Sequence, residues 1–255
     1  MGTGAGATNV TSARPDGEVH AHATMGTGAG ATNVTSARPD GEVHAHATMG
    51  TVRRLLIIRH GESEWNREGR WQGWVDIALT PAGEAQARAR GADLHASGLR
   101  FAAVHTSDLV RATRTAELLA EALGIVATEP HAALRERFGG EWQGHTWEEI
   151  VERWPEERAA WRRGEFAAPP GGETETQVVD RVFGALAEID TVNAAGPLLV
   201  VTHGGVVRLL SHRAGAPITE LTPNLGGRWF DWDGTALHAS EALPAIAPVP
   251  NLHSE

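Results

Sequence analysis

Two apolar runs in this chain each end in a histidine followed by glycine: Leu55-Leu56-Ile57-Ile58-Arg59-His60-Gly61 and Leu198-Leu199-Val200-Val201-Thr202-His203-Gly204. A third short apolar run, Phe101–His105, is followed closely by Ser107 and Arg111. Two histidines and two arginines in these places form a cationic set with no Asp–Asp or His–carboxylate arrangement suited to magnesium or zinc. Guanidinium groups match the fork geometry of phosphate, so the set points to a bound phosphoryl group held without metal. Arg59 and Arg111 are placed to hold its non-bridging oxygens, with Asn66 as a further hydrogen-bond donor. Glycines at 61, 204 and 205 let backbone come close, and a helix opening near Gly204 adds a favourable dipole. A neutral histidine beside a held phosphate is a nucleophile candidate, provided a neighbour holds its second ring nitrogen. His60 and His203 both qualify on these grounds. Glu136, in Leu134-Arg135-Glu136-Arg137-Phe138, is the proton-donor candidate, because a nearby phosphate raises a carboxyl pKa toward neutrality.

The elements that must position these residues can be read from pattern. Val52–Ile58, Phe101–His105 and Pro197–Val201 have the length and β-branched content of strands. Thr80-Pro81 opens a helix to about Ala96, and Ser107 is placed to cap a helix whose Leu109, Ala112, Ala116, Leu119 and Leu123 share a face. Helical segments are also expected at about 147–163, 173–192 and 206–212, with a break at Pro169-Pro170-Gly171-Gly172. Strands alternating with helices predict an α/β fold, a three-layer α/β/α sandwich with a mainly parallel central sheet. Ligands bind such sheets at the carboxyl ends of the strands, which is where these histidines fall. Asp233-Gly234 reads as a hairpin turn between Arg228–Trp232 and Thr235–Ala239. The alternative, a magnesium phosphatase signature at Asp231-Trp232-Asp233-Gly234-Thr235, fails because too little chain follows and there is no lysine.

Composition narrows the chemistry further. The chain of 255 residues has no cysteine, so thiolate nucleophiles, disulfides and iron–sulfur clusters are excluded. All 22 basic side chains are arginine, which removes Schiff-base and P-loop lysines. A net charge of −10 argues against nucleic-acid partners, and no apolar run approaches a membrane span. A cytoplasmic enzyme with no cofactor and a small phosphomonoester as partner is expected. The oligomeric state, a homodimer among the options, is not readable. Residues 1–24 recur letter for letter at 25–48. Residues 1–48 are expected to be a disordered extension, 49–240 the enzyme domain and 241–255 a tail. The His20/His22 and His44/His46 pairs in the extension are read as incidental.

Arg59-His60-Gly61-Glu62 with Trp65-Asn66 resembles the signature of the histidine phosphatase superfamily, phosphoglycerate-mutase-like branch. So do Ser107-Asp108-Leu109-Val110-Arg111-Ala112, Leu134-x-Glu136 with Gly140-x-Trp142-x-Gly144, and Thr202-His203-Gly204-Gly205, in that order. The resemblance implies a phosphoglycerate-mutase-like fold, His60 as the phosphorylated residue and Glu136 as proton donor. Arg59, Arg111 and His203 would complete the phosphate pocket, with Asn66, Gln72, Gly73 and Gly204 at the substrate and no metal required. Mutases of this family carry a longer basic stretch, including lysine, between the glutamate and the second histidine. Here that stretch is short and rich in carboxylates, with Arg162-Arg163 as a basic pair. A phosphatase is therefore expected, with a cofactor-dependent phosphoglycerate mutase as the alternative.

Overall fold

The computed structural model describes residues 52–163, 165, 167–193, 195–217 and 222–244. The chain divides after Ala47 into two units. The first unit, with both His-x-His pairs, lies outside the described residues.

Five strands form one sheet in the order β2-β3-β1-β4-β5. They are β1 (Arg53–Arg59), β2 (Ala103–Thr106), β3 (Leu198–Thr202), β4 (Gly227–Trp232) and β5 (Leu237–Leu243). β2, β3 and β1 pair in parallel, whereas β4 runs antiparallel to β1 and β5 antiparallel to β4. The hairpin between β4 and β5 turns at Asp233, whose carboxylate accepts hydrogen bonds from Thr235 N–H and Oγ1–H and from Ala236 N–H. That carboxylate is spent on a turn, as its sequence context predicts. β5 continues to Leu243, beyond the expected end of the domain at 240.

Side chains alternate along the strands and so divide the core in two. Leu55, Ile57, Leu198, Val200 and Phe230 pack with α6 (Glu175–Val192) and α7 (Gly204–Arg213) on one face. Leu56, Ile58, Leu199, Val201 and Trp229 pack with α2 (Pro81–Ala96) and α3 (Val110–Leu123) on the other. The apolar face read for α3 is the one that is buried: Ala112, Ala116 and Leu119 are inaccessible. A short helix, α1 (Glu64–Arg67), follows β1 and is closed by a Ser63/Asn66 capping box. The region expected to be helical over 147–163 is two helices, α4 (Trp147–Arg153) and α5 (Pro155–Arg162). Pro155 cannot supply the N–H that would continue α4, and it starts α5 instead.

One capping expectation is corrected. The N-cap of α3 is Leu109, which makes no side-chain cap bond, and Val110 N–H donates instead to Asp76 Oδ1 at 2.7 Å. Ser107 is engaged elsewhere, at the candidate site.

Among the described residues no helix is long and apolar enough to cross a membrane.

Candidate active site

β1 and β3 lie side by side in parallel with Arg59 opposite Thr202, so the next residue of each strand, His60 and His203, leaves the sheet at the same edge. His60 N–H donates to Thr202 O at 2.9 Å, and the two imidazole rings meet edge to face with centroids 5.2 Å apart. Both rings are buried.

The ring contacts differ, and the difference fixes the chemistry. His60 Nδ1 lies 2.7 Å from Gly61 O. A carbonyl can only accept, so the proton is on Nδ1 and the Nε2 lone pair is available. His203 Nε2 contacts Ser107 Oγ at 2.9 Å, and its buried Nδ1 has no partner. Burial, followed by the charges of Arg111 and Arg59, holds His60 well below the ordinary histidine range, although its bond to Gly61 opposes the shift. Burial and then Arg111 act likewise on His203. Both imidazoles are therefore neutral at pH 7.

Arg111 is fully buried on the first turn of α3, with Nη1 on Val75 O at 2.8 Å and Nη2 on Gly73 O at 2.7 Å. Its Nε has no partner. Desolvation lowers its pKa to about 10, partly offset by Glu136 and Asp76. Arg59 Nη1 donates to Thr222 O at 2.7 Å, and burial lowers its pKa too. Neither guanidinium forms an ion pair among the described residues. Arg114, one turn further along α3, is half-exposed and already paired with Glu84 and Glu117. A buried cation that lacks a carboxylate is costly unless an anion answers it, so Arg111 rather than Arg114 has the environment suited to holding an anion.

Glu136 approaches from the loop after the 3₁₀ turn Ala132–Leu134. Its Oε2 accepts from Gly205 N–H at 2.9 Å and its Oε1 from Arg137 N–H at 2.8 Å. A carboxylate at the N-terminus of α7 is favoured by the helix dipole. A Cβ on Gly205 would sit 2.4 Å from Glu136 Oε1 and would displace that carboxylate. A Cβ on Gly204 would crowd Arg59 Cδ at 3.1 Å.

The remaining expected residues support this set from behind. Asn66 Oδ1 accepts from Ser63 N–H and from Asn224 Nδ2–H. Gln72 Oε1 accepts from Ser63 Oγ–H at 2.9 Å, so that oxygen braces α1. Gly73 presents its carbonyl to Arg111 and has φ +51°, which favours glycine.

Asn224 and Thr222 were not read from the sequence. Asn224 donates to His60 O at 3.0 Å, and its loop brings Thr222 O to Arg59. A Thr-Pro-Asn stretch signals only a turn, and nothing local ties it to a site far earlier in the chain. Trp74 Nε1 donates to Glu136 O at 2.7 Å, which places it beside the loop carrying Glu136. Trp71 packs with Trp142, Trp147 and Trp161 instead. Among the other histidines, His105 is a core polar residue bonded to Asn193 and Thr128. Among the described residues no group of three or more His, Asp or Glu gathers as a metal site would require.

The fold is α/β, and the sheet edge gathers two neutral histidines and two guanidiniums without ion-pair partners, an arrangement suited to an oxyanion. The profile of the histidine phosphatase superfamily (branch 1) matches residues 55–227, and the chain belongs to that superfamily of enzymes. A 2,3-bisphosphoglycerate-dependent phosphoglycerate mutase of Methylobacterium sp. (strain 4-46) is 39% identical over 178 residues, 68% of this chain and 86% of that one. Among solved structures, a mycobacterial glucosyl-3-phosphoglycerate phosphatase complexed with VO3 is 31% identical with a TM-score of 0.62, covering 74% of this chain and 96% of that one. A protein titled mycobacterial hydrolase 1 is 29% identical with a TM-score of 0.65, covering 76% and 100%.

Proposed function

We propose that this protein is a metal-independent phosphomonoester hydrolase acting through a phosphohistidine on His60. The observation that carries the reading is the tautomer: Nδ1–H on Gly61 O leaves Nε2 unprotonated beside Arg59 and Arg111. In the first step the Nε2 lone pair attacks phosphorus and the ester P–O bond breaks. The leaving oxygen takes a proton from Glu136 acting as general acid. In the second step water attacks phosphorus, the Glu136 carboxylate takes its proton, and the P–N bond electrons return to Nε2. Inorganic phosphate leaves. Arg59, Arg111 Nε and His203 Nδ1–H stabilise the equatorial oxygens throughout. In this reading Ser107 Oγ–H is the donor in its 2.9 Å contact with His203 Nε2, which leaves the proton of that neutral ring on Nδ1.

The mutase alternative has support in the names of sequence relatives. The many carboxylates of the stretch around α4 and α5 oppose a doubly charged substrate, which favours hydrolysis. Arg163 is paired with Glu165, Arg158 lies over the Trp147 ring, and Arg70 is taken by Glu68 and Glu149. Arg153 on α4 meets only His145, at 3.5 Å, and Arg158 has no carboxylate partner among the described residues. The relatives' names put phosphoglycerate and glycosylated phosphoglycerate first among esters to try.

The test is phosphate release with chelator present from these esters, other sugar phosphates and p-nitrophenyl phosphate, each product also checked for isomerisation. The proposal expects release that survives chelator. Fast interconversion of 3- and 2-phosphoglycerate with little release would move the assignment to the mutase.

A further inference from the structure

The loop that carries Glu136 belongs to no strand or α-helix, so its backbone carbonyls need partners from elsewhere. One guanidinium supplies three of them. Arg181, on α6, donates from Nη1 to Ala133 O at 2.8 Å and Arg135 O at 2.7 Å, and from Nη2 to Glu136 O at 2.8 Å. Glu173 holds that guanidinium side-on, accepting from Nε and Nη2 at 2.9 Å each. The same glutamate grips the loop's far end: Oε2 accepts from Phe138 N–H at 2.8 Å, and Glu173 N–H donates to Phe138 O at 3.0 Å. Both side chains are largely buried, at 17% and 16% exposed. The pair touches none of the groups that would meet phosphate, yet it fixes the backbone on both sides of Glu136. Glu136 is held as well at its carbonyl by Trp74 Nε1–H and at its carboxylate by Gly205 N–H and Arg137 N–H.

We propose that Arg181 and Glu173 form a positioning pair that holds the Glu136 carboxyl in line with the leaving oxygen. The inference rests on the reading that Glu136 is the proton donor. A displacement of about 1 Å in a reacting group costs about a hundredfold in rate, so a loop set loose would lose the benefit of its acid. That loss depends on the ester. An alkoxide leaves poorly without a proton, whereas p-nitrophenolate is stable enough to leave without one.

The experiment compares kcat/KM for p-nitrophenyl phosphate and for glycerol phosphate in the wild type, Glu136→Gln, Arg181→Met and Glu173→Gln. Arg181→Met leaves Glu173 buried without its cation and destabilises the fold. Glu173→Gln is the milder change, because an acceptor for Phe138 N–H is kept. A lower folded fraction reduces both rates equally, whereas a misplaced acid selects against the alkyl ester. The expected result is a loss at least about tenfold larger for glycerol phosphate in Glu136→Gln and in at least one variant of the pair. Equal losses for both esters in the pair variants, with Glu136→Gln still selective, would overturn the positioning role alone. A non-selective Glu136→Gln would overturn the proton-donor reading, and the positioning role with it.

Discussion

At the residue scale the site is defined by what each charge lacks. Arg111 and Arg114 are one turn apart on α3, yet only Arg114 has carboxylate partners, and those hold its pKa above the ordinary value. Arg111 is buried with an unpartnered Nε. Arg111→Gln is expected to lower kcat by about a hundred- to a thousandfold, as removal of a preorganised oxyanion donor does. Arg114→Gln, which removes exposed pairs, should leave turnover near wild type and change stability by under about 1 kcal/mol. Steady-state kinetics on the two variants check the contrast, and comparable losses would contradict it. In the sequence only the resemblance of Ser107–Ala112 to the family signature favours Arg111 over Arg114, because pairing across to Glu84 on α2 exists only in three dimensions. Ser107 illustrates the same limit. Its position suggests a helix cap, but β2 and β3 are adjacent in the sheet, and that brings its hydroxyl to His203.

At the scale of elements, strand ends were the most legible feature. An apolar run that stops at Arg59-His60 or Thr202-His203 carries its own boundary, and parallel pairing turns two such boundaries into one edge. Less legible were contacts made by irregular segments. Pro169-Pro170-Gly171-Gly172 reads as a break, but it docks on the Glu136 loop: a Cβ on Gly140 would meet Pro170 O at 2.0 Å. A similar close approach seats the first turn of α2 on the strand end that carries His60. A Cβ on Gly83 would lie 2.0 Å from Glu62 O, and one on Gly61 would lie 2.6 Å from Gly83 O. These neighbours are backbone and cannot rotate away. Gly83→Ala should therefore cost about 1–3 kcal/mol, the usual range for forced overpacking, and should slow turnover by displacing the His60 loop. Gly184→Ala is the control, since nothing lies near its added methyl. In the middle of α6 it should be neutral or stabilising by up to about 1 kcal/mol. Urea midpoints for the two variants decide the matter, and a neutral Gly83→Ala would contradict the packing described.

At the scale of the whole molecule, three histidines are held neutral by burial: His60, His203 and His105, each with its pKa lowered from the ordinary 6.5. The unfolded chain takes up protons at these positions once the pH falls through 6.5, whereas the folded chain does not. Stability rises with pH wherever the unfolded state binds more protons, so it must fall as the medium is acidified below about 6.5. That window opens above the carboxylate range of about 4, which separates it from loss of ion pairs. Melting temperatures between about pH 7.5 and 5.5 are expected to decline toward the acid side. A flat profile would mean that the rings accept protons while folded. The three-layer architecture followed from alternation of strands and helices, since both faces of β1 and β3 are apolar. The antiparallel hairpin was legible only through its Asp-Gly turn. Its place beside β1 was not, because an edge pairing leaves no local mark in the chain.

The account stands most directly on a covalent bond between phosphorus and His60. Enzyme mixed with a slow phosphomonoester, quenched in alkali and digested, would be read by mass spectrometry for the peptide that contains His60. The account predicts phosphate on His60, stable in base and lost in acid, and neither adduct nor turnover in His60→Ala. Phosphate found on His203, or hydrolysis that persists in His60→Ala, would contradict it.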